Sequence, residues 1–148
     1  MSVTLKQKSI HWIKNSLFVI IALFLGAFVN GKIIEISPSL IPPPEGADFT
    51  TEAGLKAAAA LMQPKHFVMP FLAHALGTLV SALILLIFFK DRQMLFIRSL
   101  IVGGIFFLGG LSMVFMIPSP WWFILADLGL AYFPMALLPF WIKYRRIS

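Results

Sequence analysis

The 148-residue sequence contains no cysteine and few charged residues. Without cysteine, the chain forms no disulfide and supplies no thiolate for a nucleophile, a zinc site or an iron–sulfur cluster. Charged residues make up 12% of the chain, about half of the roughly 25% that is usual in soluble domains. Hydrophobic residues make up 59%, more than a soluble domain of this size can bury. The composition therefore indicates a membrane protein.

Four long apolar segments hold most of the hydrophobic residues, and each is long enough for a helix to cross about 30 Å of hydrocarbon. We predict spans at about residues 13–36, 67–89, 94–117 and 121–142. A cleavable signal peptide is the alternative for the first segment, but no small-x-small cleavage site precedes a polar stretch there. The predicted fold is therefore all-α: a single transmembrane domain, residues 1–148, built as a four-helix bundle.

Residues 37–64 form the only long loop between the predicted spans, and prolines dominate its first part. Pro38 and the proline run at residues 42–44 favour extended polyproline geometry. Residues 45–48, with the sequence Glu-Gly-Ala-Asp, are typical of a turn. We therefore expect the first helix to end before this loop begins.

A short helix is predicted in the second part of the loop. Thr50 or Thr51 can serve as its N-cap, and Glu52 follows in the first turn, where the helix dipole favours a carboxylate. The helix should run to about Met62, because Pro64 disfavours helical geometry in the residue before it. Its apolar face consists of Leu55, Ala58, Ala59 and Met62. This face either rests on the membrane surface over the mouth of the bundle, as an interfacial helix, or belongs to a solvated connector.

Small residues predict where the spans pack closely. In the second span, Gly77 and Ser81 form a small-xxx-small pair, a pattern that lets helices approach each other. We expect this face to point into the bundle. Gly103 and Gly110 share a face of the third span and indicate another close contact. Pro134 in the fourth span frees a backbone carbonyl and is placed to kink that helix.

The distribution of basic residues predicts the orientation of the bundle. The N-terminal arm, the connection at residues 90–98 and the C-terminal end together hold nine Lys and Arg, whereas residues 37–65 hold two. By the positive-inside rule, both termini face the cytoplasm and the long loop faces outward. These flanking cations account for the net charge of +6, so nucleic acid is not an expected partner.

Four ionisable side chains lie in the outer halves of the predicted spans. Lys32 and Glu35 are near the outer end of the first span, three residues apart on one helix face, where they can pair. His74 is about 12 Å below the outer end of the second span, and Asp127 is about 10 Å below that of the fourth. Since intramembrane charges usually face the bundle interior and pair, we expect Lys32 to pair with Glu35 or Asp127. His74 would then pair with the remaining carboxylate. Asn30 is about 200° around the first helix from Lys32 and should make a different contact.

Two interpretations of this group stay open. In the first, the four residues line a polar pocket that opens outward and binds a small solute or a lipid head group, or passes a proton through His74. In the second, they are a buried polar network that sets the helix register. Glu35, His74 and Asp127, with His66 nearby, could supply metal ligands, but their spacing matches no metal motif. Ser81 lies too deep for a Ser–His–Asp arrangement. We therefore expect no catalytic residues, no metal and no cofactor.

Three motifs support the topology. The sequences PPPEG at residues 42–46, HALGT at residues 74–78 and PSPWWF at residues 118–123 resemble an uncharacterised family of small four-span bacterial inner-membrane proteins. The resemblance runs from about Asn30 to the end of the chain. It implies a proline-rich outer loop after the first span and a location in the bacterial inner membrane, and it implies no activity.

The function expected from these observations is that of a non-enzymatic membrane protein. Its outward-facing pocket would bind a lipid head group or a small solute, or the protein would be a subunit of a membrane complex with a lipid-facing patch at Gly103 and Gly110. The alternative is a small transporter or proton-coupled carrier that uses Glu35, His74 and Asp127, and an enzyme acting on lipids is a third class. The expected partners are membrane lipids, a small solute or other membrane subunits.

Overall fold

The computed structural model describes residues 5–48 and 50–145, and the regular secondary structure of these residues is entirely helical. The elements are α1 (Leu5–Leu40), α2 (Glu52–Ala59), a 3₁₀ turn (Pro64–Phe67), α3 (Val68–Phe88), α4 (Arg92–Met116), α5 (Trp121–Leu130) and α6 (Phe133–Arg145). Four stretches within the described chain are long and apolar enough to cross a membrane: Trp12–Leu40, Pro64–Phe88, Arg92–Met116 and Trp121–Arg145. The predicted four-helix transmembrane bundle is confirmed.

Helix α3 is the centre of the bundle, because it packs against α1, α4, α5 and α6. Helix α1 is peripheral: it packs along α3 and touches α4 only slightly. Only 11% of the most apolar window of α1 is buried in the protein, although its sequence is apolar on all sides. A helix that is hydrophobic all round needs an apolar environment on every face, so most of α1 faces lipid.

The closest helix contact joins α1 to α3 at their small residues. A Cβ added to Gly26 would collide with the Gly77 carbonyl oxygen and with Ser81 Oγ, and a Cβ added to Gly77 would lie 2.9 Å from Cβ of Asn30. The Ser81 hydroxyl donates a hydrogen bond to the Ala22 carbonyl, 2.8 Å away. The residue numbers fall along α3 as they rise along α1, so the two helices run antiparallel. The inward-pointing face that Gly77 and Ser81 predict is confirmed.

Glycines of α4 make room for the last part of the chain. A Cβ on Gly103 would lie 3.0 Å from Cβ of Ala136, and one on Gly110 would collide with the Tyr132 hydroxyl. The close packing predicted at these two glycines is confirmed. The prediction that they form a lipid-facing patch is wrong, since side chains after α5 cover both glycines and both are buried.

The first helix is longer than predicted. Helix α1 continues through Pro38 to Leu40, so the long loop begins after residue 40 and not at Ser37. Proline has a fixed φ that is compatible with a helix, and its main cost is a missing hydrogen bond. In the exposed last turn this cost is small, because water can satisfy the freed carbonyl. The Ile41 amide continues the helical pattern by donating to the Ser37 carbonyl at 2.9 Å.

The helix in the loop is capped as predicted but is shorter. The Thr51 hydroxyl accepts a hydrogen bond from the Gly54 amide at 3.0 Å, which makes Thr51 the N-cap of α2. Just before this cap, the hydroxyl and the amide of Thr50 both donate to the Asp48 carboxylate. These bonds, that of the hydroxyl most of all, lower the pKa of Asp48. The helix ends at Ala59 because the following amides form tighter bonds to carbonyls three residues back. The location of α2 on the membrane surface stays a prediction.

The fourth span consists of two helices and not one. Helix α5 ends at Leu130, where the Ala131 amide caps it by donating to the Asp127 carbonyl. The Tyr132 carbonyl then accepts the first bond of α6, from Ala136 at 2.8 Å. Pro134 occupies the first turn of α6, where a missing N–H costs little. The kink predicted at this proline is therefore a break just before it.

The two ends of the bundle differ in charge. The end where α3 stops and α4 begins, which we call the basic end, carries the cations of that connection and of the α6 terminus: Lys90, Arg92, Lys143 and Arg145. The opposite end, which we call the loop end, holds the segment between α1 and α3 and the turn before α5. Trp121 at the loop end is 74% exposed and Trp12 at the other end of the bundle is 65% exposed, as expected of interfacial anchors.

The α1–α3 contact generates a matched pair of predictions. Gly26→Ala should destabilise the bundle by about 1–3 kcal/mol, because the new methyl group forces α1 away from the α3 backbone. Gly31→Ala on the same helix meets no atom within 4 Å and should be neutral or slightly stabilising, since alanine favours helices over glycine. Thermal unfolding in detergent measures both, and equal midpoints for the two variants would contradict this packing.

Candidate functional site

A buried carboxylate links three parts of the bundle near the loop end. Nδ1 of His74, on α3, lies 2.8 Å from Oδ1 and 2.9 Å from Oδ2 of Asp127, on α5. The Tyr132 hydroxyl, which follows the break after α5, donates to Oδ2 of the same carboxylate at 2.9 Å. The rings of His74 and Tyr132 lie with their centroids 5.6 Å apart. We call these three residues the His–Asp–Tyr cluster.

Burial and hydrogen bonding differ among the members of this cluster. The Asp127 side chain is 5% exposed and that of His74 is 19% exposed, while Tyr132 is 1% exposed. A buried carboxylate is costly unless it accepts hydrogen bonds, and Asp127 accepts them from two side chains. In the arrangement with an ionised Asp127, which can only accept, the His74 ring donates from Nδ1. Its Nε2 atom is then available to another partner, and no described residue hydrogen-bonds it.

Local structure holds each member of the cluster in place. The break between α5 and α6 redirects the chain, so that the Tyr132 hydroxyl returns to the carboxylate one turn behind it. Gly110 of α4 leaves the space that this hydroxyl occupies. On α3, the Thr78 hydroxyl donates to the His74 carbonyl at 2.8 Å, which satisfies a buried hydroxyl without occupying the ring.

Lys32 and Glu35, the other two predicted site residues, lie apart from this cluster. They form an ion pair with each other, 2.6 Å from Nζ to Oε2, and their side chains are 54% and 64% exposed. Asn30 packs against Gly77 of α3, and Lys32 lies about 200° around α1 from Asn30. Lys32 therefore faces away from α3. The structure pairs His74 with Asp127 and Lys32 with Glu35, and it does not unite the four residues in one pocket.

Few side chains near the cluster could bind a metal or act as a nucleophile. No group of three or more His, Asp or Glu side chains that could hold a metal occurs in the described part of the chain. His66 is engaged in a turn, where its Nδ1 accepts from the Gln63 amide at 2.8 Å. The Ser81 hydroxyl bonds the Ala22 carbonyl and the Ser112 hydroxyl bonds the Leu108 carbonyl, so neither serine is aligned with the His74 ring.

An apolar groove of about 230 Å³ runs between α3 and α5 beside the cluster. No member of the cluster lines the groove, but Phe71 lies one turn before His74 and Ala126 immediately precedes Asp127. Six of the lining residues are Phe67, Phe71, Leu72, Trp122, Ala126 and Leu130. The Phe67 ring packs edge-on against Trp122, with centroids 5.5 Å apart. Pockets that enclose a whole ligand usually measure roughly 300–1,000 Å³, so this groove suits one part of a larger molecule.

Tyr132 is a site residue that the sequence alone does not predict. In an unbroken helix, residues five apart are separated by about 140°, so Tyr132 would point away from Asp127. A signal was present, because Pro134 indicates a kink next to a polar aromatic residue. The partners of Gly77, namely Gly26 and Asn30, were also not identified, because α1 is apolar on all sides and no face of it stands out.

The four apolar spans, the lipid-facing surface of α1 and the polar cluster inside the bundle define a multi-pass helical membrane protein. Comparisons with protein-family models, with curated proteins and with solved structures find no match for this chain.

The effects on stability of substitutions at Gly110 and at Tyr132 should not be additive. Tyr132→Phe removes a hydrogen bond to a buried carboxylate and should cost about 1.5–3 kcal/mol. Gly110→Ala places a methyl group against the Tyr132 hydroxyl and should cost about 1–3 kcal/mol. In the double variant the second change should cost less, because the atom it collides with is gone. Unfolding midpoints of the two single variants and the double variant measure this coupling, and strict additivity would contradict the contact.

Proposed function

We propose that this protein is a non-enzymatic membrane protein that binds a lipid or a similar amphiphile in the groove between α3 and α5. An alkyl chain of the ligand lies along the apolar groove, and a polar group of the ligand hydrogen-bonds to Nε2 of His74. The observation that carries the proposal is the partly exposed His74 ring, which Asp127 holds by Nδ1 while Nε2 has no partner among the described residues.

The hydrogen-bonding requirement of the His74 ring supports this site. A polar ring atom at membrane depth is costly without a partner, because hydrocarbon offers none. Asp127 orients the His74 ring, and the hydrogen bonds from His74 and Tyr132 compensate the Asp127 carboxylate within the protein. With the ring proton on Nδ1, a ligand hydroxyl can donate a hydrogen bond to Nε2 without bringing a charge. The adjacent groove is lined by apolar side chains, as a site for an alkyl chain requires.

The proton-coupled carrier has less support as an alternative. Such a carrier needs a polar path across the membrane, and no ionisable residue follows His74 in α3. In α6, the first ionisable residue is Lys143, close to the basic end. The exposed Lys32–Glu35 pair lies outside the cluster, so it adds no step to a path through His74.

The proposal includes an orientation and a location. The excess of cations at the basic end favours a cytoplasmic location for that end and for both termini. The loop end would then face outward, and the His–Asp–Tyr cluster would lie in the outer half of the membrane. The motif resemblance supports the bacterial inner membrane as the location.

Native mass spectrometry of the protein released in mild detergent tests the site. We expect a retained lipid or small amphiphile on the wild type. The double variant His74→Phe/Asp127→Leu should lose it, because it removes the polar contact and leaves no buried charge unpaired. Leu130→Trp should lose it independently, because the indole fills the groove without touching the cluster's polar atoms.

Glu35→Gln is the control, since it alters an exposed ion pair outside the site, and it should retain the ligand at the wild-type level. Thermal unfolding confirms that each variant is folded before binding is compared. A wild type that retains no molecule would contradict the proposal. Retention at the wild-type level by both the double variant and Leu130→Trp would contradict it as well.

A further inference from the structure

A buried cation with an incomplete set of partners lies at the basic end. Arg98 of α4 is 6% exposed, and its Nε atom is buried without a hydrogen-bond partner. Its Nη1 atom reaches only the Met94 sulfur, at 3.6 Å, and its Cζ lies 4.5 Å from the centre of the Phe89 ring. Within the described residues, none of the carboxylates forms an ion pair with Arg98.

The acidic side chains of the described residues form no ion pair with Arg98. The sequence has six Asp and Glu in total, and only Asp91 belongs to the basic end. The Asp91 carboxylate caps α4 by accepting from the Met94 amide at 2.7 Å. An arginine stays protonated in proteins, and a buried charge needs a counter-charge as well as hydrogen bonds. The sulfur and ring contacts of Arg98 supply neither in full.

The position of the guanidinium indicates where its counter-ion comes from. Side chains in a helix point back toward its N-terminus, and the contact with Met94 shows that Arg98 does so. The guanidinium therefore lies at the level of Phe89, the residue that ends α3 and precedes Lys90. This is the border of the apolar span, where the phosphates of a lipid leaflet begin. The surface around it carries further cations, Lys90 and Arg92.

We propose that Arg98 binds the phosphodiester group of an anionic phospholipid in the leaflet at the basic end. The planar guanidinium fork matches phosphate oxygens in a two-point contact. The cations of the basic end attract anionic lipids to the same surface, and the apolar residues around Arg98 suit the chains of a lipid better than a soluble anion. This site is separate from the groove between α3 and α5.

Nanodiscs of defined composition test the assignment. The full-length wild type should enrich phosphatidylglycerol over phosphatidylcholine in native mass spectrometry, and its unfolding midpoint should rise when phosphatidylglycerol is included. Arg98→Met, which keeps a long side chain and removes the charge, should lose both the enrichment and the rise. In pure phosphatidylcholine it should be at least as stable as the wild type, because no buried charge is left unpaired.

Two further variants serve as controls. Arg145→Gln removes a cation from the same end of the bundle and should weaken the enrichment by no more than about fivefold, the contribution of one cation near an anionic surface. Arg98→Lys keeps the charge and loses the fork, so it should remain folded and retain part of the enrichment even if Arg98→Met does not fold.

Several results would overturn the proposal. Wild-type enrichment in Arg98→Met would show that Arg98 is not the binding cation, and wild-type enrichment in Arg98→Lys would show that no two-point contact of the guanidinium with the phosphate exists. An equal rise in midpoint when inorganic phosphate is added to phosphatidylcholine nanodiscs would assign the site to free phosphate. A wild-type oligomer that dissociates in Arg98→Met would assign the counter-charge to a partner protein.

Discussion

The need to satisfy one buried carboxylate organises the loop end of this bundle. Asp127 lies in a helix that is otherwise apolar, so its charge must be compensated by donors from the protein itself. His74 provides one donor from the neighbouring span, and Tyr132 provides the second from the same span. The second donor is possible only because the helix breaks between them and because Gly110 leaves space for a hydroxyl. The Asp127 charge, the break between α5 and α6 and the glycine at residue 110 are thus parts of one arrangement.

A second constraint, close backbone approach, explains why the charged pair of α1 stands apart. Gly26 and Gly77 bring α1 against α3 along one narrow face, and Asn30 belongs to that face. Lys32 is on the opposite side of α1, where it can pair only with its neighbour Glu35. The rotation of α1 about its own axis therefore decides which polar groups can meet. It admits Asn30 to the interface and excludes the ion pair.

The spans and their bundle could be predicted from the sequence because length and apolar composition are local properties that a bilayer requires. The contact of His74 with Asp127 was also accessible, because charges at similar depth tend to pair. The position of Lys32 was not, because α1 is apolar all round and its buried face cannot be distinguished from the others. The role of Tyr132 depends on a break whose position Pro134 indicates only to within a turn. Rotation and exact break points are decided by packing between helices, which a single sequence does not contain.

The two buried ionisable centres of the bundle are compensated in different ways, and this difference bears on what each can bind. Asp127 has both of its donors inside the chain, so a ligand beside His74 needs to supply hydrogen bonds but no charge. The charged group of Arg98 contacts an aromatic ring and a sulfur atom, and the one acidic side chain at the basic end, Asp91, caps α4 instead of pairing with it. A neutral polar group therefore fits the loop end, whereas the basic end calls for an anion from outside the chain. In a bilayer, a lipid phosphate is the anion present at that depth.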